Sequence, residues 1–230
     1  MAWQPPEGMD EYLKPTKLCD CDNDVLRTRA KEIIKDAETP KDAALKIFSF
    51  VRDGVLYMMS PLDTKASRTL KKGNGVGVNK TNVQVALLRA VGIPARYHHF
   101  NVKTEWHKGI VSGFMCNRIP DIAWWPAWCE CYLGEKWVAC HSLFDKALFE
   151  AMLKKGLVTR EQIPTIDWDG DNDLILLKHW ITEDKGIFPS LDDVFRKAQK
   201  ETQRPVVLAK LFGWFVRSLS NRHTDKIRKF

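Results

Sequence analysis

The chain has 230 residues, 44% of them hydrophobic and 28% charged, which fits one soluble domain with a sizeable core and excludes a low-complexity or disordered chain. Its formal charge of +7 is spread along the sequence with no nucleic-acid-binding motif, so nucleic acid is not an expected partner. No apolar run reaches bilayer length and the first residues, MAWQPPEGMDEYLKP, lack a signal-peptide pattern. The expected location is therefore the cytoplasm, where the six cysteines would be reduced thiols.

In chain order, Cys19 and Cys21 sit among Asp20, Asp22 and Asp24 and read as a polar turn. Asp24 to Glu38 reads as the first helix, with Asp24 as N-cap. Thr39-Pro40 opens the second, whose buried face is Ala43, Ala44, Ile47, Phe48 and Val51. Asp63 to Leu70 reads as a connecting loop. The next stretch, GNGVGVNKTNVQVALLRAVGIPAR from Gly73 to Arg96, has three glycines in five residues followed by a helical pattern. Val78, Val83, Ala86, Leu87 and Ala90 define its expected buried face, and Gly92 with Pro94 stops it. The loop tip presents free N–H groups at the positive end of a helix dipole, which suits a thiolate or a bound anion. A phosphate loop would need glycine where Asn79 stands, just before Lys80-Thr81.

Ala95 to Val102 reads as a strand with His98 and His99 on opposite faces. Residues 103–122 read as an irregular segment of lid length. Trp124 to Leu133 alternates, with Trp128, Glu130 and Tyr132 on one face and Cys129 and Cys131 on the other. Gly134-Glu135 turns the chain into a strand ending at His141. The C-x-C pairs lack zinc spacing, so packing is their plainer reading and no metal is expected. Phe144 to Lys155 reads as a helix. The acidic run Asp167, Asp169, Asp171, Asp173 lacks the glycine and glutamate of a calcium loop and reads as a solvated turn. From Leu191 the chain reads as helices. Leu208, Leu211, Phe212, Phe215 and Leu219 form an apolar stripe, and Arg217 to Phe230 carries five Lys or Arg against one acid. That tail is read as a packed helix ending in solvated charges, with contact to an anionic membrane or an acidic partner as the other reading.

The run NVQVALLRAVGIPAR, followed by PAWCECYLGEKWVACHS, closely resembles the core of the transglutaminase-like superfamily, whose fold is related to papain-like cysteine proteases. Members carry a catalytic Cys at the helix start, then strands bearing HAW and VD. The resemblance covers roughly Ala43 to Asp145. It implies an α+β fold: a helical N-terminal part, a central helix packed on an antiparallel sheet, and C-terminal helices. The chain is divided accordingly into a transglutaminase-like domain over 1–190 and, from the helical reading beyond Leu191, a C-terminal helical extension with a basic tail over 191–230. Aligned residue by residue, the family's Cys falls at Gly77, its His at Pro126 and its Asp at His141. Glycine has no nucleophile and proline no base, so thiol-dependent acyl transfer by this route is closed.

Two functions follow from the resemblance. One is a protein inactive in acyl transfer whose cleft binds a small molecule or peptide, with Gly75, Gly77, Asn79, Trp125 and Trp128 as binding residues and no cofactor. The other is an enzyme running a different reaction there. His141 would then be its general acid or base, and N–H groups near Gly77 would stabilise an oxyanion or enolate. His107, Cys116 and Asp145 lie within loop reach of a rebuilt Cys–His pair.

Overall fold

The computed structural model describes residue 3 and residues 6–117, 119–202 and 213–230. Helix α1 (Asp24–Ile33) is shorter than its periodicity suggests and is capped by Asn23, whose side chain accepts the Val25 N–H at 3.1 Å, rather than by Asp24. The preceding turn is not solvated. Cys19 and Cys21 are buried, and the Asp20 carboxylate accepts both the Ser67 N–H at 3.0 Å and the Ser67 hydroxyl at 2.6 Å. Helix α2 (Pro40–Gly54) is capped by Thr39, with Ala43, Ala44, Ile47, Phe48 and Val51 buried as the pattern requires. Strand β1 (Leu56–Tyr57) follows. Where the sequence reads as a loop, the chain instead coils into α3 (Ala66–Lys72). Asp20 anchors that helix at its start, and Gly73, with φ 68°, ends it. Strand β2 (Asn74–Gly75) pairs in parallel with β1.

Helix α4 (Gly77–Ala90) departs most from its expected form. It is buried on every side from Val78 to Arg89, polar residues included, while Ala90 is only half-buried. Gly92 stops it in the left-handed region at φ 85°. Ile93 and Pro94 then turn the chain into β3 (Ala95–Lys103), the central strand of the sheet. Residues 103–122 are more ordered than the sequence suggests. They hold a short 3-10 turn (Thr104–His107) and α5 (Gly113–Cys116), with Trp106, His107, Ile110 and Val111 buried.

Strand β4 (Ile122–Ala123) and β5 (Ala127–Leu133) both pair antiparallel with β3, and the chain breaks between them at Trp124–Pro126. Proline cannot donate to a ladder, which explains why the strand starts at Ala127 and not at Trp124. Beyond the Gly134-Glu135 turn, β6 (Lys136–Ala139) pairs with β5. Helix α6 (Lys146–Lys154) is capped by Asp145. The acidic turn is held by Asp169, whose carboxylate accepts the N–H groups of Asp171 at 2.9 Å and Asn172 at 2.8 Å. Asp167 and Asp171 pair with Arg52 and Lys41. Strand β7 (Ile181–Phe188) closes the other side of β3 and has no sequence expectation behind it. Its charged, largely exposed run is that of an edge strand.

Helix α7 (Leu191–Thr202) starts from β7, and α8 (Gly213–Arg228) folds back onto the body. The Asn221 amide exchanges two hydrogen bonds with the Met59 backbone at 2.7 and 3.1 Å, and the Thr224 hydroxyl donates to the Ile110 carbonyl at 2.9 Å. Of the C-terminal apolar stripe, Leu208, Leu211 and Phe212 and the side chain of Phe215 lie outside the described residues, and Leu219 is exposed. Arg222, Lys226 and Lys229 are solvated as expected. Arg228 is not. It packs against Asp145, whose charge compensates its burial.

Candidate functional site

The polar residues of α4 tie the site together. Asn79 accepts the Val76 N–H at 3.1 Å and donates to the carbonyls of Pro61 and Leu62, both at 3.1 Å. Lys80 is fully buried and donates to the carbonyls of Arg52 at 2.8 Å and Val55. Thr81 donates to the Ala127 carbonyl at 2.7 Å. Asn82 donates to the Leu18 carbonyl at 2.9 Å and accepts the Tyr97 hydroxyl at 2.7 Å. Gln84 donates to the Cys140 carbonyl at 2.9 Å and accepts the Ser142 hydroxyl at 2.6 Å. One helix therefore positions β5, the end of β6 and the loop before α3.

Gly77 at the start of α4, Pro126 at the start of β5 and His141 after β6 line a single small cavity, with Trp125, Trp106 and His107 among its walls. The resemblance-derived positions are thus brought together. Gly75, Asn79 and Trp128 do not line it. A Cβ at Gly75 would stand 2.7 Å from that of Asn79. Asn79 is consumed by backbone groups, and Trp128 stacks on His98 with ring centres 4.2 Å apart. The cavity measures 20 Å³, room for about one water. A Cβ built on Gly77 would lie 2.6 Å from Cδ1 of Leu143, so that leucine fills the space a side chain there would need.

His141 is buried, its Nδ1 has no hydrogen-bond partner, and Phe100 meets it edge-on at 6.2 Å. Burial, and then the Lys80 charge, push its pKa down to about 3. His107 stacks on Trp106 at 3.6 Å and hydrogen-bonds the Thr104 carbonyl at 3.2 Å through Nδ1. Burial takes its pKa down to about 4, against the raising effect of that carbonyl. Both imidazoles are therefore neutral at neutral pH. Lys80 is depressed to about 7 by burial. Cys116 lies on α5 with its Sγ directed at the carbonyls of His107 (3.8 Å) and Val111 (3.9 Å), and burial raises its thiol pKa. Asp145 is committed to Arg228, the Tyr57 N–H and the cap of α6. Neither Cys116 nor Asp145 lines the cavity with His141.

On the same face of the sheet as Trp128 and His141, His98 bridges Glu130 and Asp184, each at 2.8 Å, and Arg96 pairs with Glu130 at 2.7 Å. His99 is buried on the opposite face, bonded to the Trp124 carbonyl at 2.6 Å. Period-two alternation signals the separation of the two histidines but not their partners on β5 and β7. Leu143, which fills the space next to Gly77, is missed by sequence reasoning altogether. Its only signal is its place two residues beyond His141.

Residues 27–142 match the model of the transglutaminase-like superfamily. No curated protein matches the chain. Among solved structures, a proposed cysteine protease from Cytophaga hutchinsonii aligns at 23% identity over 60% of this chain and 43% of its own, with a TM-score of 0.48. A proposed protease from Parabacteroides distasonis aligns at 13% identity over 57% and 24%, with a TM-score of 0.37. The chain therefore spans less than half the length of either. Among the described residues no helix is long and apolar enough to cross a membrane. With a matched segment running from α1 to Ser142, just beyond β6, and α4 seated on an antiparallel sheet, this α+β chain belongs to the transglutaminase-like superfamily.

Proposed function

We propose that the chain is a transglutaminase-like protein that has lost acyl-transfer chemistry and acts by binding. The observation that carries this reading is the filled space at Gly77. The residue at the helix start has no nucleophile, and Leu143 stands 2.6 Å from where its Cβ would be. The Pro126 position supplies no base, and His141 is buried beside a 20 Å³ cavity. An imidazole with a pKa of about 3 is a weak base at neutral pH and is not present as the imidazolium that would serve as a ready proton donor. The same observation weighs against an enzyme that uses His141 as general acid or base.

The test is a screen for amidase, protease and amine-transfer turnover before and after thiol alkylation, repeated with Cys116→Ser. Cys116 is the one thiol of the six that is not buried, so alkylation without unfolding should reach it first. No turnover is expected in either protein. Thiol-sensitive turnover in either protein would overturn the reading, and its loss or persistence in Cys116→Ser would tell whether Cys116 or a buried cysteine is responsible.

A further inference from the structure

The cavity at Gly77 is too small for a ligand, but a larger groove opens beside it. It has a volume of 300 Å³, at the lower end of small-molecule sites, which run from about 300 to 1,000 Å³. The Trp124–Trp125 pair, edge to face at 5.6 Å, separates the two spaces: Trp125 faces the Gly77 cavity and Trp124 faces the groove. The opposite walls come from Lys17 before α1, Asp63 before α3, and Asp192, Phe195 and Arg196 on the first turns of α7. Lys17, Leu18 and the α7 residues lie outside the family-matched segment, whereas Leu62, Asp63 and Trp124 lie within it.

The walls are held in place. The Asp192 carboxylate accepts the Leu18 N–H at 3.2 Å, and Arg89, buried under the sheet, donates to the Pro189 carbonyl at 2.6 Å just before α7. Aromatic surface from Trp124 and Phe195 is flanked by two carboxylates, Asp63 and Asp192, and by two cations, Lys17 and Arg196. Arg196 is also paired with Asp193 one helical turn away. A simple anion entering here meets two carboxylates, and a simple cation meets Lys17 and Arg196. A molecule carrying both charges beside an apolar group meets a partner of opposite sign for each charge and aromatic surface for the rest.

We propose that this groove binds a small zwitterion with an aromatic or apolar side chain, the chemistry of a free amino acid or a dipeptide. The inference rests on the reading of the chain as a binding protein and names the place and the ligand class.

The experiment is calorimetric titration of the whole chain with L-phenylalanine and, in parallel, with 3-phenylpropionate and phenethylamine, each of which lacks one of its charges. L-Phenylalanine is expected to bind about tenfold more tightly than either analogue. Asp192→Asn keeps a carbonyl oxygen for the Leu18 N–H but removes the charge, and it should weaken L-phenylalanine about fivefold or more at an unchanged thermal midpoint. Lys17→Gln, on an exposed side chain, provides the same test at the opposite charge should the Asp192 variant lose stability. Equal affinities for the three compounds, no heat with L-phenylalanine, or affinities untouched by both substitutions would overturn the proposal. A null titration alongside a negative thiol screen would remove the groove's ligand class and leave the loss of acyl transfer standing.

Discussion

At the scale of the residue, His141 and His107 determine how the region responds to acid. Both hold pKa values below the ordinary 6.5, at about 3 and about 4, because the folded chain shields them from water. The unfolded chain binds their protons more readily, so stability is full above the ordinary value and falls as pH drops from there toward the folded values. Between about pH 7.5 and about pH 5, each imidazole should remove about 2 kcal/mol of stability. Lys80, depressed to about 7, acts in the same direction at the upper end of that window. Urea unfolding at the two pH values should show the loss, and His141→Gln should remove about half of the imidazole contribution. A pH-independent stability across that range would mean that the buried rings are hydrated. None of this was readable beforehand. The sequence brings His141 to the end of a strand, but its burial depends on Phe100, Trp128 and Leu143 converging from separate elements.

At the scale of the element, α4 shows both what was legible and what was not. Its start, its stop at Gly92 and the strand beyond followed from glycine and proline chemistry, and the apolar positions named its core face. The sequence held no expectation for most of its polar positions, because periodicity cannot tell a side facing water from a side facing carbonyl groups. Strand β7 stayed hidden for a related reason: as a charged edge strand it lacks the alternation that marks a half-buried one. The buried polar side of α4 leads to a prediction. Gln84→Leu preserves volume but leaves the Cys140 carbonyl and the Ser142 hydroxyl without their side-chain partner, in a place where all three residues are buried. The cost should be about 2–4 kcal/mol in urea unfolding with an unchanged m-value. A change below about 0.5 kcal/mol would show that water replaces the amide and that the anchor is dispensable.

At the scale of the whole molecule, the C-terminal helix completes the body of a chain whose family-matched segment ends at residue 142. Arg228 reaches Asp145 through two bonds, Nε to Oδ1 at 2.8 Å and a terminal nitrogen to Oδ2 at 3.0 Å, and donates to the Tyr57 carbonyl at 3.0 Å. Asp145 is itself the cap of α6, so one ion pair joins α8, α6 and the end of β1. Burial alone would raise the Asp145 pKa, but Arg228 and the nearby Lys80 hold it below its usual range. Arg228→Met should therefore cost about 3 kcal/mol at neutral pH, chiefly by stranding a buried carboxylate. Asp145→Asn keeps an oxygen for the Leu148 N–H of the cap and removes the stranded charge. The double variant should accordingly be more stable than the sum of the singles predicts, by about 2 kcal/mol. The pH dependence separates a charge effect from lost packing. In the parent, the Asp145 contribution is present above the ordinary carboxylate value and fades as pH falls through the lower folded value. Without Arg228 the buried carboxyl loses the strongest group holding its pKa down and takes up a proton at a higher pH than in the parent, so the stability gap between parent and Arg228→Met should narrow as the solution is acidified. Chemical unfolding of the four proteins of the cycle at a neutral and an acidic pH tests this. A gap that stays constant with pH, or singles whose effects simply add, would mean that α8 is held by its contacts with Met59 and Ile110 and not by the ion pair.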